Sequence, residues 1–153
     1  MIKIAYFGSL KTSFVKSGIE RYCKWLSPYS KLSFVELKSG GDINREQMMD
    51  IQKREATALL KRVKNEELIV LDEKGEECTS MEFAELLRSR QISSTDLFFA
   101  IGGYTGFHTD VKSAASKTIA LSKMTFTHEM ALLLLIEQIY RGMKIIKGEK
   151  YHY

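Results

Sequence analysis

The chain has 153 residues, of which 44% are apolar, 27% charged and 10% aromatic, with a single proline. This length fits one domain over residues 1–153, and the composition excludes a disordered tail, a collagen-like repeat and a disulfide-stapled miniprotein. The longest apolar run, residues 130–136, is far shorter than the roughly 20 residues that a membrane span requires. The two cysteines, Cys23 and Cys78, match no metal-ligand spacing. We therefore expect reduced thiols, a cytoplasmic location, no membrane contact and no bound metal.

Charge is unevenly distributed along the chain. The formal net charge is +5 over residues 1–31, −4 over residues 32–108 and +3 over residues 109–153. A fold that brought both ends together would form one positive face, and such a face attracts phosphate backbones. An ordinary solvated surface explains the same charges, so composition leaves nucleic-acid binding open.

Short apolar runs alternate with helical patterns throughout. In chain order, the patterns predict strands at 2–7, 32–37, 68–71 and 97–101 and a short strand at 119–121. Between and after them, they predict a helix ending at Leu26, helices at about 44–64 and from Thr79 to Arg90, a short helix at 110–117 and a long helix at 128–146. Thr79 and Glu82 have the spacing of a capping box. This alternation indicates an α/β fold with a mostly parallel sheet and helices on both faces.

Ligands bind such sheets beyond the carboxyl ends of the strands. The candidate site therefore consists of the loops that follow Leu71, Ile101 and Leu121. The loop after Ile101 contains Gly102 and Gly103, which allow a close backbone approach to a ligand. The spacing is not that of the dinucleotide fingerprint and no Walker lysine follows, so a tight strand-to-helix turn remains an alternative.

Two further segments have unusual composition. Residues 121–126 have no clear period, and their backbone could face a nucleobase beside an apolar wall, although an ordinary loop is also possible. The last residues, 148–153, place two aromatic rings around His152. Such a tail can fray, or its rings can stack on a base while the imidazole moves a proton. His108 and His128 are expected to have capping or surface roles.

Together these segments resemble a known family, the SPOUT-class ribosomal RNA large subunit methyltransferase H. The likeness covers nearly the whole chain, and five short motifs occur in the family's order and spacing. They are residues 71–75, residues 99–103 with Gly106, residues 120–126, His128 with residues 137–141, and residues 147–152.

The resemblance implies a fold, a partner and a reaction. It implies a parallel sheet with a C-terminal trefoil knot and a homodimer that pairs through the knotted region. It also implies methyl transfer from S-adenosylmethionine to N3 of a pseudouridine in helix 69 of 23S rRNA, with the assembled ribosome as substrate. Position by position, the cofactor contacts fall on Leu71, Gly102, Gly103, Leu121, Ser122, Lys123, Met124, Thr125 and Phe126.

The resemblance also suggests which residues act on the RNA. Methylation of N3 requires removal of its proton, and His152 is the candidate base or base-orienting group, with Tyr151 beside it. Arg141 and Lys123 are candidate cations for the resulting anion, although Arg141 could instead pair with Glu137 one helical turn earlier. The candidate phosphate contacts, expected on the first helix, are Lys11, Lys16, Arg21 and Lys24.

Three positions depart from the family pattern. Leu132 and Tyr153 stand where members commonly have basic residues, and Thr127 stands where proline is usual. These differences affect the expected RNA contacts more than the cofactor pocket. Two other functions remain open: a different nucleotide-binding α/β protein that uses the glycine turn for phosphate, and an RNA-binding module without catalytic activity.

Overall fold

The computed structural model describes residues 1–153 as alternating strands and helices. The strands are β1 (Ile2–Phe7), β2 (Leu32–Leu37), β3 (Glu67–Glu77), β4 (Leu97–Ile101) and β5 (Lys117–Ala120). The helices are α1 (Ser13–Leu26), α2 (Met48–Leu60), α3 (Ser80–Ile92), α4 (Thr109–Ala114) and α5 (His128–Ile146). No helix combines the length and the apolar character that crossing a bilayer would need.

All five strands are parallel, in the order β2-β1-β4-β3-β5. Side chains alternate between the two faces of the sheet, as pleated strands require. Ile4 and Tyr6 of β1 pack with α1, α3 and α5, whereas Ala5 and Phe7 pack with residues of α2 and α4. The predicted parallel α/β architecture with helices on both faces is confirmed.

Several predicted boundaries are wrong. The helix expected at about 44–64 is α2, Met48–Leu60, because residues 42–46 form a turn in which the Asp42 carbonyl accepts from the Arg45 and Glu46 N–H groups. The helix expected at 110–117 ends at Ala114, since Lys117 already begins β5. By contrast, the capping box is present: the Thr79 hydroxyl accepts from the Glu82 N–H at 3.2 Å.

The largest correction concerns β3, which was predicted to end at Leu71 but continues to Glu77. Its pairing with β5 is interrupted between Leu71 and Glu76, and both of these residues lie opposite Ile119. Residues 72–75 therefore form an excursion from the ladder, a longer interruption than the single extra residue of an ordinary β-bulge. Gly75 passes so close to β5 that a Cβ there would lie 2.7 Å from the Thr118 carbonyl.

An ion pair between Lys3 and Glu66 joins the amino ends of β1 and β3. The Glu66 side chain is only 6% exposed and also accepts from the Lys64 N–H at 2.8 Å. The hydrogen bond from Lys3 is the main cause that holds the pKa of Glu66 at about 2. The ionised form is therefore favoured in the folded chain.

We predict that Glu66 contributes to the pH dependence of stability. Its folded-state pKa lies below the value of about 4.3 for an unfolded chain, so its stabilisation is present above about pH 4.3 and is lost as the pH falls towards 2. In urea unfolding, Glu66→Gln should lower the free energy of unfolding at neutral pH and flatten its decline on acidification. Glu85→Gln, which removes an exposed carboxylate paired with Arg88, is the control. Equal slopes for wild type and Glu66→Gln would contradict the prediction.

Candidate functional site

A cleft of about 710 Å³ opens at the carboxyl ends of the three adjacent strands β4, β3 and β5. This volume is typical of small-molecule and cofactor sites, which span roughly 300–1,000 Å³. Its walls are the excursion at residues 72–75, the turn at residues 102–107 and the segment at residues 121–127. The three segments that were predicted as site loops do meet here, although residues 72–75 lie within β3 and not in a loop that follows it.

The glycine turn forms one wall of the cleft. Gly106 has a φ of +72°, a backbone conformation that side chains with a Cβ rarely adopt. At Gly102 an added Cβ would lie 3.3 Å from the Phe107 ring. Gly102 and Gly103 therefore present backbone without a side chain to the cleft, beside the exposed ring of Tyr104.

Polar contacts connect the walls. The Thr125 hydroxyl donates to Glu73 Oε2 at 2.7 Å and ties the 121–127 segment to the excursion. Lys112 Nζ lies 2.9 Å from Asp72 Oδ2. Burial raises the pKa of Asp72, but the Lys74 N–H and Lys112 outweigh that effect and the net shift is downward. Lys112 therefore favours the ionised form of Asp72, and the hydrogen bond from Thr125 holds Glu73 in place.

The structure brings most of the predicted cofactor residues together. Those lining the cleft are Leu71, Gly102, Gly103, Leu121, Ser122, Met124, Thr125 and Phe126. Lys123 does not line it, because its side chain is 84% exposed and its Nζ lies 3.6 Å from Glu77 Oε2. A second, apolar cavity of about 280 Å³ shares Leu71, Leu121 and Phe126 with the cleft.

Sequence reasoning missed several cleft residues, and the capping or surface role expected of His128 is wrong, because Thr127 is the N-cap of α5. His128 begins α5 and lines the cleft, and its Nε2 is buried without a hydrogen-bond partner. The ring of Tyr104 stands edge-on to it, with 5.8 Å between centroids. Its position directly after the irregular 121–127 segment was the available signal. The capping role expected of His108 is confirmed, since its Nδ1 accepts from the Asp110 N–H.

The C-terminal tail is docked on α1 and α5. The Tyr151 hydroxyl lies 3.3 Å from the Tyr22 hydroxyl, and the Tyr151 ring meets that of Tyr140 edge to face. The Tyr29 hydroxyl donates to Glu149 Oε2 at 2.8 Å. These contacts hold the tail against α1 and α5 as far as Tyr151.

Arg141 lies at the centre of the tail contacts. Its guanidinium pairs with Glu137 Oε1 at 2.7 Å, lies 4.8 Å from the Tyr151 ring centroid, and has Nη1 3.4 Å from His152 Nδ1. The structural pair with Glu137 is thus present, and it raises the pKa of Arg141. Burial and the hydrogen bond with Tyr22 raise the pKa of Tyr151, so Tyr151 is a neutral phenol at physiological pH. The three predicted catalytic residues form one cluster.

This cluster is remote from the cleft of its own chain. His128 and Arg141 are thirteen positions apart on α5, which corresponds to about 20 Å along the helix axis. The predicted catalytic and cofactor residues therefore do not meet within one protomer.

Comparison with known proteins places this geometry in a family. The family model described as "Predicted SPOUT methyltransferase" matches residues 1–152. The chain belongs to the SPOUT methyltransferase family. Curated relatives named "Ribosomal RNA large subunit methyltransferase H" include those of Kosmotoga olearia, 45% identical over 99% of both chains, and Thermotoga neapolitana, 40% identical over 99% of both. The relative from Thermodesulfovibrio yellowstonii is 40% identical over 99% of this chain and 97% of its own.

Membership of the SPOUT methyltransferase family confirms the resemblance and the enzyme class, and it implies the knotted fold. No group of three histidine, cysteine or acidic side chains lies close enough together to hold a metal ion.

The departures from the family pattern have structural explanations in two cases. Leu132 is fully buried in the core, where an apolar side chain packs well. Thr127 is the N-cap of α5, and its hydroxyl accepts from the Met130 N–H at 3.2 Å. Tyr153 is fully exposed at the chain end.

The predicted phosphate-binding residues are exposed, and none forms an ion pair. Lys16, Arg21 and Lys24 lie on α1, and Arg21 is 6.0 Å from the Trp25 ring centroid. The prediction that Lys11 lies on this helix is wrong, because α1 begins at Ser13. The Lys11 and Thr12 N–H groups instead donate to the Glu129 carboxylate at the start of α5.

Backbone conformation at Gly106 yields a testable prediction. Gly106→Val should lower the free energy of unfolding by about 1–2 kcal/mol, because φ is positive there although the space around the Cα is open. Gly106→Asn should cost less, since asparagine tolerates this conformation. Chemical denaturation of the two variants measures the difference, and equal stabilities would show that the turn relaxes to another conformation.

Proposed function

We propose that the chain transfers a methyl group from S-adenosylmethionine to N3 of a pseudouridine in helix 69 of 23S rRNA. In this proposal it acts as a homodimer in the cytoplasm, on the assembled ribosome. The observation that carries the proposal is the meeting of three strand-end loops in one cleft, in a chain whose full length matches relatives named ribosomal RNA large subunit methyltransferase H.

The cleft residues fit S-adenosylmethionine. Exposed backbone at Gly102 and Gly103 suits close approach of the amino-acid or ribose portion, and the irregular 121–126 backbone suits adenine beside Leu121 and Phe126. Thr105 Oγ1 and His128 Nε2 are buried without partners, so polar atoms are available for a ligand. When bound, this cofactor supplies an activated methyl group on a sulfonium.

We assign the remaining chemistry to Arg141, Tyr151 and His152, which together form the tail cluster. N3 of pseudouridine becomes nucleophilic when it loses its proton, and His152 is suited to accept or direct that proton because its imidazole is exposed next to Arg141. Arg141 keeps its positive charge and would stabilise the imide anion. Tyr151, a neutral phenol, would stack on the base or donate a hydrogen bond to it.

A second copy of the chain completes this site. Within one protomer about 20 Å of helix separates the tail cluster from the cleft, too far for direct methyl transfer. The cleft mouth carries exposed apolar side chains, including Met124 at 76% and Phe126 at 39% exposure. Covering such residues is a common reason for self-association. We therefore pair the cleft of one protomer with the tail of its partner.

The exposed cations Lys16, Arg21 and Lys24 would contact rRNA phosphates, with Lys11 nearby at the start of the same segment. α1 packs directly against α5, and the tail docks on both helices. The proposed phosphate contacts thus lie on the solvent side of the helix against which the tail with its catalytic cluster docks.

Direct assay of methyl transfer tests the proposed function. Ribosomes lacking the modification, incubated with the protein and tritiated S-adenosylmethionine, should gain about one methyl group per large subunit, located by mass spectrometry in helix 69. Methylation at another nucleotide would refute the proposed target. Binding of ribosomes without incorporation would favour a non-enzymatic RNA-binding module, and calorimetric binding of ATP or NAD in place of S-adenosylmethionine would favour another nucleotide-binding protein.

Mixing two inactive variants tests the shared site. His152→Ala should keep cofactor affinity and lose most turnover, whereas Leu121→Arg should lose cofactor binding. After mixed refolding, about half of the dimers would be heterodimers with one intact site each, which restores about a quarter of wild-type activity. Homodimers of each variant, refolded alone, are the controls. No recovery in a sample shown to contain heterodimers would contradict a site built from two subunits.

A further inference from the structure

Glu55 on α2 is a buried carboxylate with an unusual environment. The residue is 4% exposed, and its Oε1 accepts from the Gly40 N–H at 2.9 Å. Its Oε2 is buried and has no hydrogen-bond partner. The neighbouring Arg54 bonds instead to the Gly40 carbonyl and Glu46. A buried carboxylate without a cation is costly, so its presence calls for a reason other than stability.

Glu55 lies directly behind the glycine turn of the cleft. A Cβ built on Gly103 would come within 3.0 Å of Oε2 and 3.1 Å of Oε1. Because Gly103 has no side chain, the Glu55 carboxylate has room to lie against it. A single layer of backbone separates the carboxylate from the cleft. One turn earlier on α2, the Gln52 amide donates to the Thr105 carbonyl of the same turn.

The other acidic groups at the cleft are partnered. Asp72 pairs with Lys112, and Glu73 accepts from the Thr125 hydroxyl. Glu55 has no cation as partner. Burial raises the pKa of Glu55 and outweighs the Gly40 N–H and the Ser39 hydroxyl, which favour its ionised form. A positive charge in the cleft would favour its ionised form and would in turn be attracted by it. In a poorly solvated site this attraction reaches across several ångströms.

We propose that Glu55 is a specificity-determining residue whose carboxylate, placed behind Gly103, makes the cleft prefer a cationic ligand to a neutral one. The inference rests on the proposed function, in which the cleft binds S-adenosylmethionine. The donor carries a positive sulfonium, and its product, S-adenosylhomocysteine, is a neutral thioether that differs by that charge and one methyl group. Glu55 thus favours the donor and promotes release of the product.

Calorimetric titration with three related ligands tests this proposal. Glu55→Gln keeps the size of the side chain and the acceptor for the Gly40 N–H but removes the charge. It should weaken S-adenosylmethionine binding about tenfold, equivalent to about 1.4 kcal/mol, and leave S-adenosylhomocysteine binding unchanged. Sinefungin, whose amine is a non-reactive cation, should lose affinity as the donor does. Glu55→Asp, which keeps the charge, should retain the preference for the donor.

Control variants separate charge from structure. Glu66→Gln removes a buried carboxylate at the other end of the sheet and should change none of the three affinities. Gln52→Ala weakens support of the glycine turn and should affect all three ligands alike. If Glu55→Gln does not fold, Glu55→Met supplies a second uncharged side chain for the same titrations. Equal losses for all three ligands, or no loss, in the uncharged variant would overturn the proposal. Failure of wild type to bind the donor would instead refute the proposed function.

Discussion

The candidate site depends on the double pairing of β3 with β5. Ile119 lies opposite Leu71 before the excursion and opposite Glu76 after it, so the backbone of residues 72–75 is held at the cleft by hydrogen-bonded strand on both sides. Gly75 permits this crossing, because any side chain there would collide with the Thr118 carbonyl. The same pairing fixes where β5 ends and hence where the 121–127 segment begins. One wall of the cleft therefore determines the position of the next.

The long helix α5 connects the cleft to the docked C-terminal tail. Its first turn, at His128, lies in the cleft, and its last turns carry Arg141 and support the tail. Because about 20 Å of helix lies between them, the separation between the cleft and the cluster of Arg141, Tyr151 and His152 is built into the protomer. Closing of a loop cannot remove a separation of about 20 Å. Association of two chains can, provided that each chain presents its tail to the cleft of the other.

Local sequence signals predicted the elements well where they were periodic or capped. β1, β2, β4 and α5 have the predicted limits, and the Thr79–Glu82 capping box marks the start of α3. The continuation of β3 to Glu77 was missed because residues 72–77 are mostly charged, and their pairing depends on a distant strand. The same applies to Glu55 and His128: their burial depends on which segments meet in three dimensions. Composition singled out the aromatic tail around His152, and the family resemblance suggested the roles of its residues. No local pattern indicated that Arg141 contacts both Tyr151 and His152.

The arrangement of α1 beside the docked tail has a consequence for kinetics. If one protomer supplies the phosphate contacts and the proton acceptor while the other holds the donor, a dissociated chain keeps its RNA contacts but lacks a complete reaction centre. Specific activity would then fall on dilution below the dimer dissociation constant, and the observed rate would become second order in enzyme. Cellular abundance, as well as donor supply, would set the extent of methylation.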